Sequence, residues 1–450
     1  MKILQVTMQF GRSYVQGTER YVATLSDGLR ERGHDVLVLT GDPLHLGPPL
    51  ALGEPLAGEK QVLAYPTRGW MAVTGLSPRK LDHWLRRHRP DIVHVNTPAH
   101  IGVGIMPACR RLSIPCVVTT HDYWWVCPKG TLLRPGGEVC DGTPGWATCV
   151  RCLAGDHARG WVRRLARVPL ASSPLLLAMY FARAAGRRMS PVDMIRWTRR
   201  RPFLAGQLDA AGFVIFPSKA IAQVIAPYLG HQRWRIIPNG LTKVWLENPR
   251  PPADSVKEPA DLTIGFAGTL APYKGPHVLL EAVRLLGWKQ TRVRLAGPIT
   301  SEHYAGRLHA LGDGLNVEFA GRLPAEKMPA FLRSLDVLAM TSVCPENCPY
   351  AVLEAQAAGV PVVGSRDGGV VELIEDRRML FDPGSPESLA AALEYARRHP
   401  QAGRRARVTT AEEMTDAVVR VYQEALDGKG IPDMAGEPSR QIVMNHLHHL

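Results

Sequence analysis

Two carboxylates, Glu346 and Glu354, stand with seven residues between them in PENCPYAVLEAQAAGVPVV. Apolar neighbours at helical spacing place Glu354 inside a helix from Ala351 to Ala358 and make it partly buried. A buried carboxylate requires hydrogen-bond donors, and the hydroxyls of a ligand can supply them. Glu346 falls in the loop before that helix, so the two acids are about two turns apart and can grip separate parts of an elongated ligand. The spacing alone equally fits an acid at a helix start followed by an exposed helix acid. Lys274 follows the strand-like run LTIGFAG in the loop TLAPYKG, just before a helix that begins near Pro276. A cation beside glycines and a helix N-terminus suits a diphosphate, because backbone N–H groups and the helix dipole add to the point charge. A solvated surface lysine shows the same pattern.

Four cysteines form a second constellation. Cys127, Cys140, Cys149 and Cys152 give C-x12-C-x8-C-x2-C among turn-forming glycines and prolines. Four thiolates can close a tetrahedral site, and a loop without strong helix or strand pattern gains from a metal staple. Zinc is the first expectation and an iron–sulfur cluster the second; a reduced thiol cluster and a redox disulfide remain open. Cys344 and Cys348 flank Glu346 and read as packing at a helix start, while Cys109 and Cys116 read as core thiols.

The elements that must position these residues alternate twice between strand and helix patterns. KILQVT, DVLVLT, DIVHV and CVVTTH come first; LTIGFAG, RVRLAG, VEFAG, DVLAM and VPVVG come later, with helix-spaced apolar stretches between them. That rhythm predicts right-handed βαβ crossovers and parallel sheets, hence an α/β chain of two Rossmann-like domains. The expected boundaries are 1–246 for an acceptor-side domain with an insertion at about 123–206, 247–260 for a proline-rich linker, and 261–401 for a nucleotide-sugar-binding domain. A helix within 402–427 packs back on one of the domains, the first by expectation, and 428–450 is a tail without a core pattern. Its His446, His448 and His449 carry no expected metal role. Ligands of such sheets bind at the carboxyl ends of the strands.

The order GTLAPYKG, LAGP, PENCPYAVLEA, AGVPVV and DGGVVE, together with QGTERYV, THDYW and IPNG in the first half, resembles the family 4 retaining glycosyltransferases. The resemblance covers nearly the whole chain. It implies the GT-B fold, two Rossmann-like parallel-sheet domains facing across a cleft, here with a Cys-rich and basic helical insertion in the first. It also implies that Glu354 holds the ribose hydroxyls of a nucleotide-diphosphate sugar, that Glu346 holds the sugar hydroxyls and that Lys274 neutralises the diphosphate. His121 would lie beside the sugar, Gly17 would belong to the first-domain loop over donor and acceptor, and Gly368 and Gly369 would extend the donor-site wall. By the residues alone, His121 is a strand-end histidine satisfied by its neighbours, and the three glycines are ordinary turns. Thr269 stands where the family often has arginine, which leaves more of the phosphate charge to Lys274, and the usual double glycine is reduced to Gln16-Gly17. No Asp-x-Asp box accompanies the donor site, so no catalytic metal is expected.

At 450 residues, 45% hydrophobic and 21% charged, the chain is large enough for two cores and too apolar to be disordered. The formal charge of +13 is uneven. Between Arg151 and Ala205 there are twelve Arg, no Lys and only Asp156 and Asp193 as acids. The apolar run within that segment is too short and too proline-broken to span a bilayer. It suits an anionic membrane surface or a lipid-linked acceptor, or else a helical excursion with solvated arginines. No recognisable nucleic-acid module accompanies the charge, so nucleic acid is not an expected partner. The opening MKILQVTMQF lacks the pattern of a signal peptide, and the expected location is cytoplasmic, peripheral at the inner face of the plasma membrane. The expected function is transfer of a sugar, with retention, from a nucleotide-diphosphate sugar to a glycan or lipid-linked acceptor in the synthesis of cell-surface polysaccharide or glycoconjugate. A non-catalytic scaffold of the same shape and a nucleotide-sugar epimerase are the alternatives.

Overall fold

A computed structural model of the chain describes residues 1–8, 10, 16–42, 54–56, 59–66, 78–98, 102–156, 160–168, 173–174, 176, 198–230, 233–247, 249, 258, 261–403 and 407–428. Most of the apolar run between Arg167 and Arg199, most of the proline-rich stretch and the histidine-bearing tail lie outside the described residues. The chain divides into two compact units, one made of Met1–Pro135, Cys140–Pro238 and the chain from Glu412, the other of Gly136–Val139 and Asn239–Ala411.

In the first unit β1 (Lys2–Thr7), β2 (Asp35–Asp42), β3 (Glu54–Leu56), β4 (Glu59–Pro66), β5 (Ile92–Val95), β6 (Cys116–Thr119), β7 (Phe213–Phe216) and β8 (Trp234–Ile236) form an 8-stranded sheet in the order 3-4-2-1-5-6-7-8. Neighbours run parallel throughout except for β3 on β4, an antiparallel edge that the alternating pattern did not announce. β5, β6 and β7 are buried along their whole length, as parallel strands covered on both faces must be. That burial makes their polar members informative. Gln5, His94 and Thr119 are fully buried and must find partners inside the protein.

The helix Gly17–Glu31 turns Tyr21, Val22, Leu25 and Leu29 inward at helical spacing. The helix Ala411–Leu426 buries Met414, Val418, Val421 and Tyr422 in the same way and belongs to this unit. Arg32 donates to Asp416 at 2.8 Å and Arg235 to Glu424 at 3.1 Å, exposed pairs worth at most about 1 kcal/mol each. The buried apolar face stabilises more, at about 1.5–3 kcal/mol for each fully buried large side chain. Between β6 and β7 a short 3₁₀ turn, Tyr123–Trp125, sinks three aromatic rings into the main core. The helices Trp146–Gly155 and Gly160–Ala166 then close a small apolar cluster of their own around Val150, Ala154, Val162 and Ala166.

The second unit is a 6-stranded parallel sheet of β9 (Thr263–Ala267), β10 (Arg292–Ala296), β11 (Asn316–Gly321), β12 (Val337–Met340), β13 (Val362–Ser365) and β14 (Leu380–Phe381), in the order 11-10-9-12-13-14. The order reverses direction between β9 and β12, as it does between β1 and β5 in the first unit. Crossovers of one hand then leave on opposite faces, and a crevice opens at the carboxyl ends of the two strands.

Gly28 shows how closely the last helix is seated: a Cβ added there would stand 2.5 Å from Thr415 Oγ1. Alanine favours a helix over glycine by about 1 kcal/mol, but overpacking of a tight contact costs about 1–3 kcal/mol. Gly28→Ala is therefore expected to lower the thermal midpoint, and Thr415→Ala in the same chain to restore most of it. Calorimetry of the single and double variants checks this, and an unchanged midpoint in Gly28→Ala would show that the contact yields freely.

Candidate functional site

The second unit brings together four of the residues singled out from sequence, Lys274, Glu346, Gly368 and Gly369. After β9 the chain makes a 3₁₀ turn, Pro272–Lys274, and Gly275 caps the helix Pro276–Leu285 with φ 69°. Only glycine adopts that conformation at little cost, and here a Cβ would also lie 2.0 Å from Thr341 O. The turn therefore presses against the segment that leaves β12. Thr341 Oγ1 donates to Lys274 O at 3.0 Å and Val343 N to Tyr273 O at 2.9 Å.

That contact brings the charges together. Lys274 Nζ donates to Glu346 Oε1 at 2.5 Å, and Ser342 Oγ donates to the same oxygen at 2.5 Å. Both ionic side chains keep a water-facing edge, with 25% of Lys274 and 15% of Glu346 exposed, so a ligand can reach them. Burial alone would lower the Lys274 pKa, but the Glu346 carboxylate overrides it and holds the ammonium above its ordinary value. Lys274 is a fixed cation and not a base. Burial, reinforced by the Glu346 charge, pushes the Cys344 thiol up to about 12, which removes it as a nucleophile at neutral pH.

Gly368 and Gly369 form the other wall. Gly369 N donates to Glu346 O at 2.6 Å. Gly368 has φ 58°, and a Cβ on it would meet Glu346 O at 2.2 Å and Glu346 N at 2.8 Å. Two backbones, not side chains, are in contact there, so neither can give way. Glu354 lies on the helix Tyr350–Ala357 and is 2% exposed, more deeply buried than its pattern suggested. Asn239 is a residue the sequence reading placed wrongly. IPNG was read as a first-domain landmark, yet Asn239 belongs to the second unit, is buried, and donates from Nδ2 to Cys348 O at 2.8 Å. It ties down the loop that carries Glu346; the Pro-Asn-Gly turn was the only local signal.

His121 and Gly17 belong to the first unit. Gly17 is exposed and opens the helix Gly17–Glu31. His121 follows β6, half-buried, with its ring edge-on to Tyr21 at 4.6 Å between centroids. Its Nε2 lies 3.3 Å from Asn96 Oδ1. Loss of solvation pushes His121 down to about 3, and His94 likewise to about 3, with the nearby His121 adding to the effect. Both rings are neutral at physiological pH.

The four-cysteine metal site is not supported. Among the described residues no group of three or more His, Cys, Asp or Glu is placed to hold a metal ion. Cys149 and Cys152 are on the helix Trp146–Gly155 and not in an irregular loop. Three of the thiols are turned to separate oxygen acceptors: Cys140 Sγ to Asp141 at 3.9 Å, Cys149 Sγ to Pro144 O at 3.8 Å and Cys152 Sγ to Leu133 O at 3.9 Å. Burial raises Cys149 and pushes Cys152 up to about 11. Folding of the segment rests instead on its apolar cluster and on buried Arg200, which donates to Trp124 O.

With this geometry in view, comparison with known proteins is informative. Residues 15–139 match the family described as Glycosyltransferase Family 4, and residues 249–413 match Glycosyl transferases group 1. The chain belongs to this glycosyltransferase family. It is 26% identical over 415 residues to the GDP-mannose-dependent alpha-mannosyltransferase of Mycobacterium tuberculosis, which covers 87% of this chain and 88% of that one. It is 24% identical over 391 residues to the sulfoquinovosyl transferase SQD2 of Arabidopsis thaliana, covering 85% of this chain but only 64% of the relative. Two corynebacterial D-inositol 3-phosphate glycosyltransferases match over 34% and 33% of their own length. Among solved structures, Anabaena HepE in complex with UDP superimposes with TM-score 0.56 at 18% identity, covering 95% of this chain and 99% of that one. The fold is GT-B.

Gly368→Ala forces a left-handed alanine against the Glu346 backbone, and loss of 1–3 kcal/mol or more is expected from strain and overlap together. The prediction is a lower thermal midpoint and a displaced Glu346 loop in a crystal structure of the variant; a superimposable loop at full stability would contradict the contact. The neutral histidines give a pH dependence. An unfolded histidine titrates near 6.5, so below that pH the unfolded chain takes up protons that buried His94 refuses. Stability from this source is full above about pH 6.5 and falls as pH drops toward 3, by about 1.4 kcal/mol per unit for one such histidine. Urea midpoints from pH 7 to pH 5 are expected to decline, less steeply in His94→Gln; equal slopes would mean that His94 is not held neutral.

Proposed function

We propose that this protein transfers a sugar, with retention of anomeric configuration, from a nucleotide-diphosphate sugar to a glycan or lipid-linked acceptor. The observation that carries the reading is the Lys274–Glu346 pair at the strand-order reversal of the second sheet, with Glu354 buried on the following helix. The relatives support the donor class: one is named for GDP-mannose, and HepE was solved with UDP and with UDP-glucose.

In such a transfer the bond from the anomeric carbon to the diphosphate breaks as one from that carbon to the acceptor hydroxyl oxygen forms, the hydroxyl proton leaving with the departing phosphate; positive character builds on the sugar ring and negative charge on that phosphate. Lys274 and the N–H groups opening the helix Pro276–Leu285 are placed to stabilise that leaving charge, an electrostatic role that needs no proton transfer. Without donor, Lys274 is neutralised by Glu346; with donor, the ammonium turns to phosphate and Glu346 accepts hydrogen bonds from sugar hydroxyls. Glu354 holds the ribose hydroxyls. His121 lies beside the sugar and Gly17 in the loop over donor and acceptor. The acceptor side meets an anionic membrane surface through the helix Gly160–Ala166 and the two residues after it, where Trp161 is 52% and Val168 46% exposed beside Arg163, Arg164 and Arg167. The proposed association is peripheral, at the inner face of the plasma membrane; no helix among the described residues is long and apolar enough to cross a membrane.

Screening nucleotide sugars for transfer or hydrolysis, with the anomeric configuration of the product read by NMR, tests the reading. Lys274→Ala is expected to lower kcat by about 10²–10³, the usual cost of deleting a donor to developing negative charge. Glu354→Ala is expected to raise the donor KM by about 10-fold or more, from the loss of charged hydrogen bonds. Full transfer by Lys274→Ala would sink the proposal.

A further inference from the structure

A chain of buried polar side chains runs through the first unit from the last helix to His121. Gln5 on β1, His94 on β5, Thr119 on β6 and Tyr422 on the helix Ala411–Leu426 are fully buried, and Asn96, just past β5, is 2% exposed. Asn96 Nδ2 donates to Gln5 Oε1 at 2.7 Å, and Gln5 Nε2 donates to the Tyr422 hydroxyl at 3.1 Å. That hydroxyl lies 2.6 Å from His94 Nδ1, and His94 Nε2 lies 2.7 Å from Thr119 Oγ1. Thr119 Oγ1 is 3.5 Å from the hydroxyl of Tyr21, whose ring packs on His121. The chain thus starts at His121 and returns to it.

With the Asn96 and Gln5 amides oriented in this way, the remaining donors and acceptors run in one direction. The Tyr422 oxygen receives the Gln5 amide, so its own proton goes to His94 Nδ1, and the neutral His94 ring donates from Nε2 to Thr119. At the other end the Asn96 amide nitrogen is committed to Gln5, which turns the carbonyl Oδ1 toward His121. A neutral imidazole facing a carbonyl oxygen must carry its proton on that edge. His121 is therefore held as the Nε2–H tautomer, with Nδ1 as its acceptor edge. Replacing any link by a group unable to bond leaves buried partners unsatisfied, which costs more than one ordinary hydrogen bond contributes.

We propose that Tyr422, delivered by the helix Ala411–Leu426, is a positioning residue that sets the tautomer and orientation of His121 through Gln5 and Asn96. The consequence for transfer rests on the reading of His121 as a sugar-side residue; the consequence for the tautomer does not. Tyr422 touches no substrate. It acts by keeping Asn96 Oδ1 turned toward the ring, which fixes the orientation and tautomer of His121.

The test uses the full chain with nitrogen-15 histidine. Tyr422→Phe keeps the ring and removes the hydroxyl. The expected result is a His121 spectrum that changes from a single Nε2–H tautomer to a mixture, a kcat lowered about 10-fold and a donor KM within 2-fold of the parent, these factors being order-of-magnitude expectations for a misoriented group. In a His121→Ala background Tyr422→Phe is expected to have no further effect on kcat. Gln5→Met, which cuts the chain one link on, repeats both readouts if Tyr422→Phe does not fold. An unchanged His121 tautomer in folded Tyr422→Phe would overturn the proposal, as would an equal loss of kcat with and without His121. If His121→Ala keeps full transfer while the tautomer shifts as expected, the positioning role stands and the sugar-side reading of His121 falls.

Discussion

A parallel sheet covered by crossover helices on both faces leaves its polar groups very little room. Along β5, β6, β7 and β12 every residue is buried, so on these strands charge can be exposed only past their ends. The carboxyl ends at which the strand order reverses are the places that the crossovers do not roof over. In the second unit that place lies past β9 and β12, and it holds Lys274 and Glu346. In the first unit the corresponding place lies past β1 and β5, and Asn96 stands there, one hydrogen bond from His121.

Charge placed in such a crevice must be satisfied before any ligand arrives. Lys274 and Glu346 satisfy each other, with Ser342 as a third member. The pair keeps an open edge, with 25% of Lys274 and 15% of Glu346 exposed, so neither charge is stranded in the core. The glycines on either side set the backbones to this spacing. Gly275 lets the lysine turn press on Thr341, and Gly368 lets the far wall press on the Glu346 backbone. Side chains could relax around an error of a few tenths of an ångström, but carbonyl against carbonyl cannot.

The basic, cysteine-bearing segment is governed by a different balance. Its four thiols look like a ligand set when written as a spacing, yet a metal site needs deprotonated sulfurs converging on one point. Here all four thiols are half-buried, and Cys140, Cys149 and Cys152 each donate to a separate oxygen. The segment gains its order from aromatic rings inserted in the main core and from a satellite apolar cluster. Spacing constrains which groups can meet; direction and solvation settle whether they do.

The two Rossmann-like units, the alternation of their elements and the loops bearing Lys274, Glu346, Gly368 and Gly369 were legible in the sequence, because periodicity and glycine placement are local and the burial of apolar strands follows from them. The burial of Glu354 was legible too, from its apolar helical neighbours. The antiparallel edge strand, the membership of Asn239 in the second unit and the separate oxygen partners of Cys140, Cys149 and Cys152 were not. Least legible of all was the path from Tyr422 to His121, which joins residues at positions 5, 94, 96, 119, 121 and 422. No local pattern marks a glutamine on an apolar strand or a tyrosine on a helix face as members of one network. What the sequence determined was which segments become strands and helices; the tertiary structure alone decided which buried polar groups face one another, because a hydrogen bond depends on distance and direction between side chains that the chain brings together only on folding.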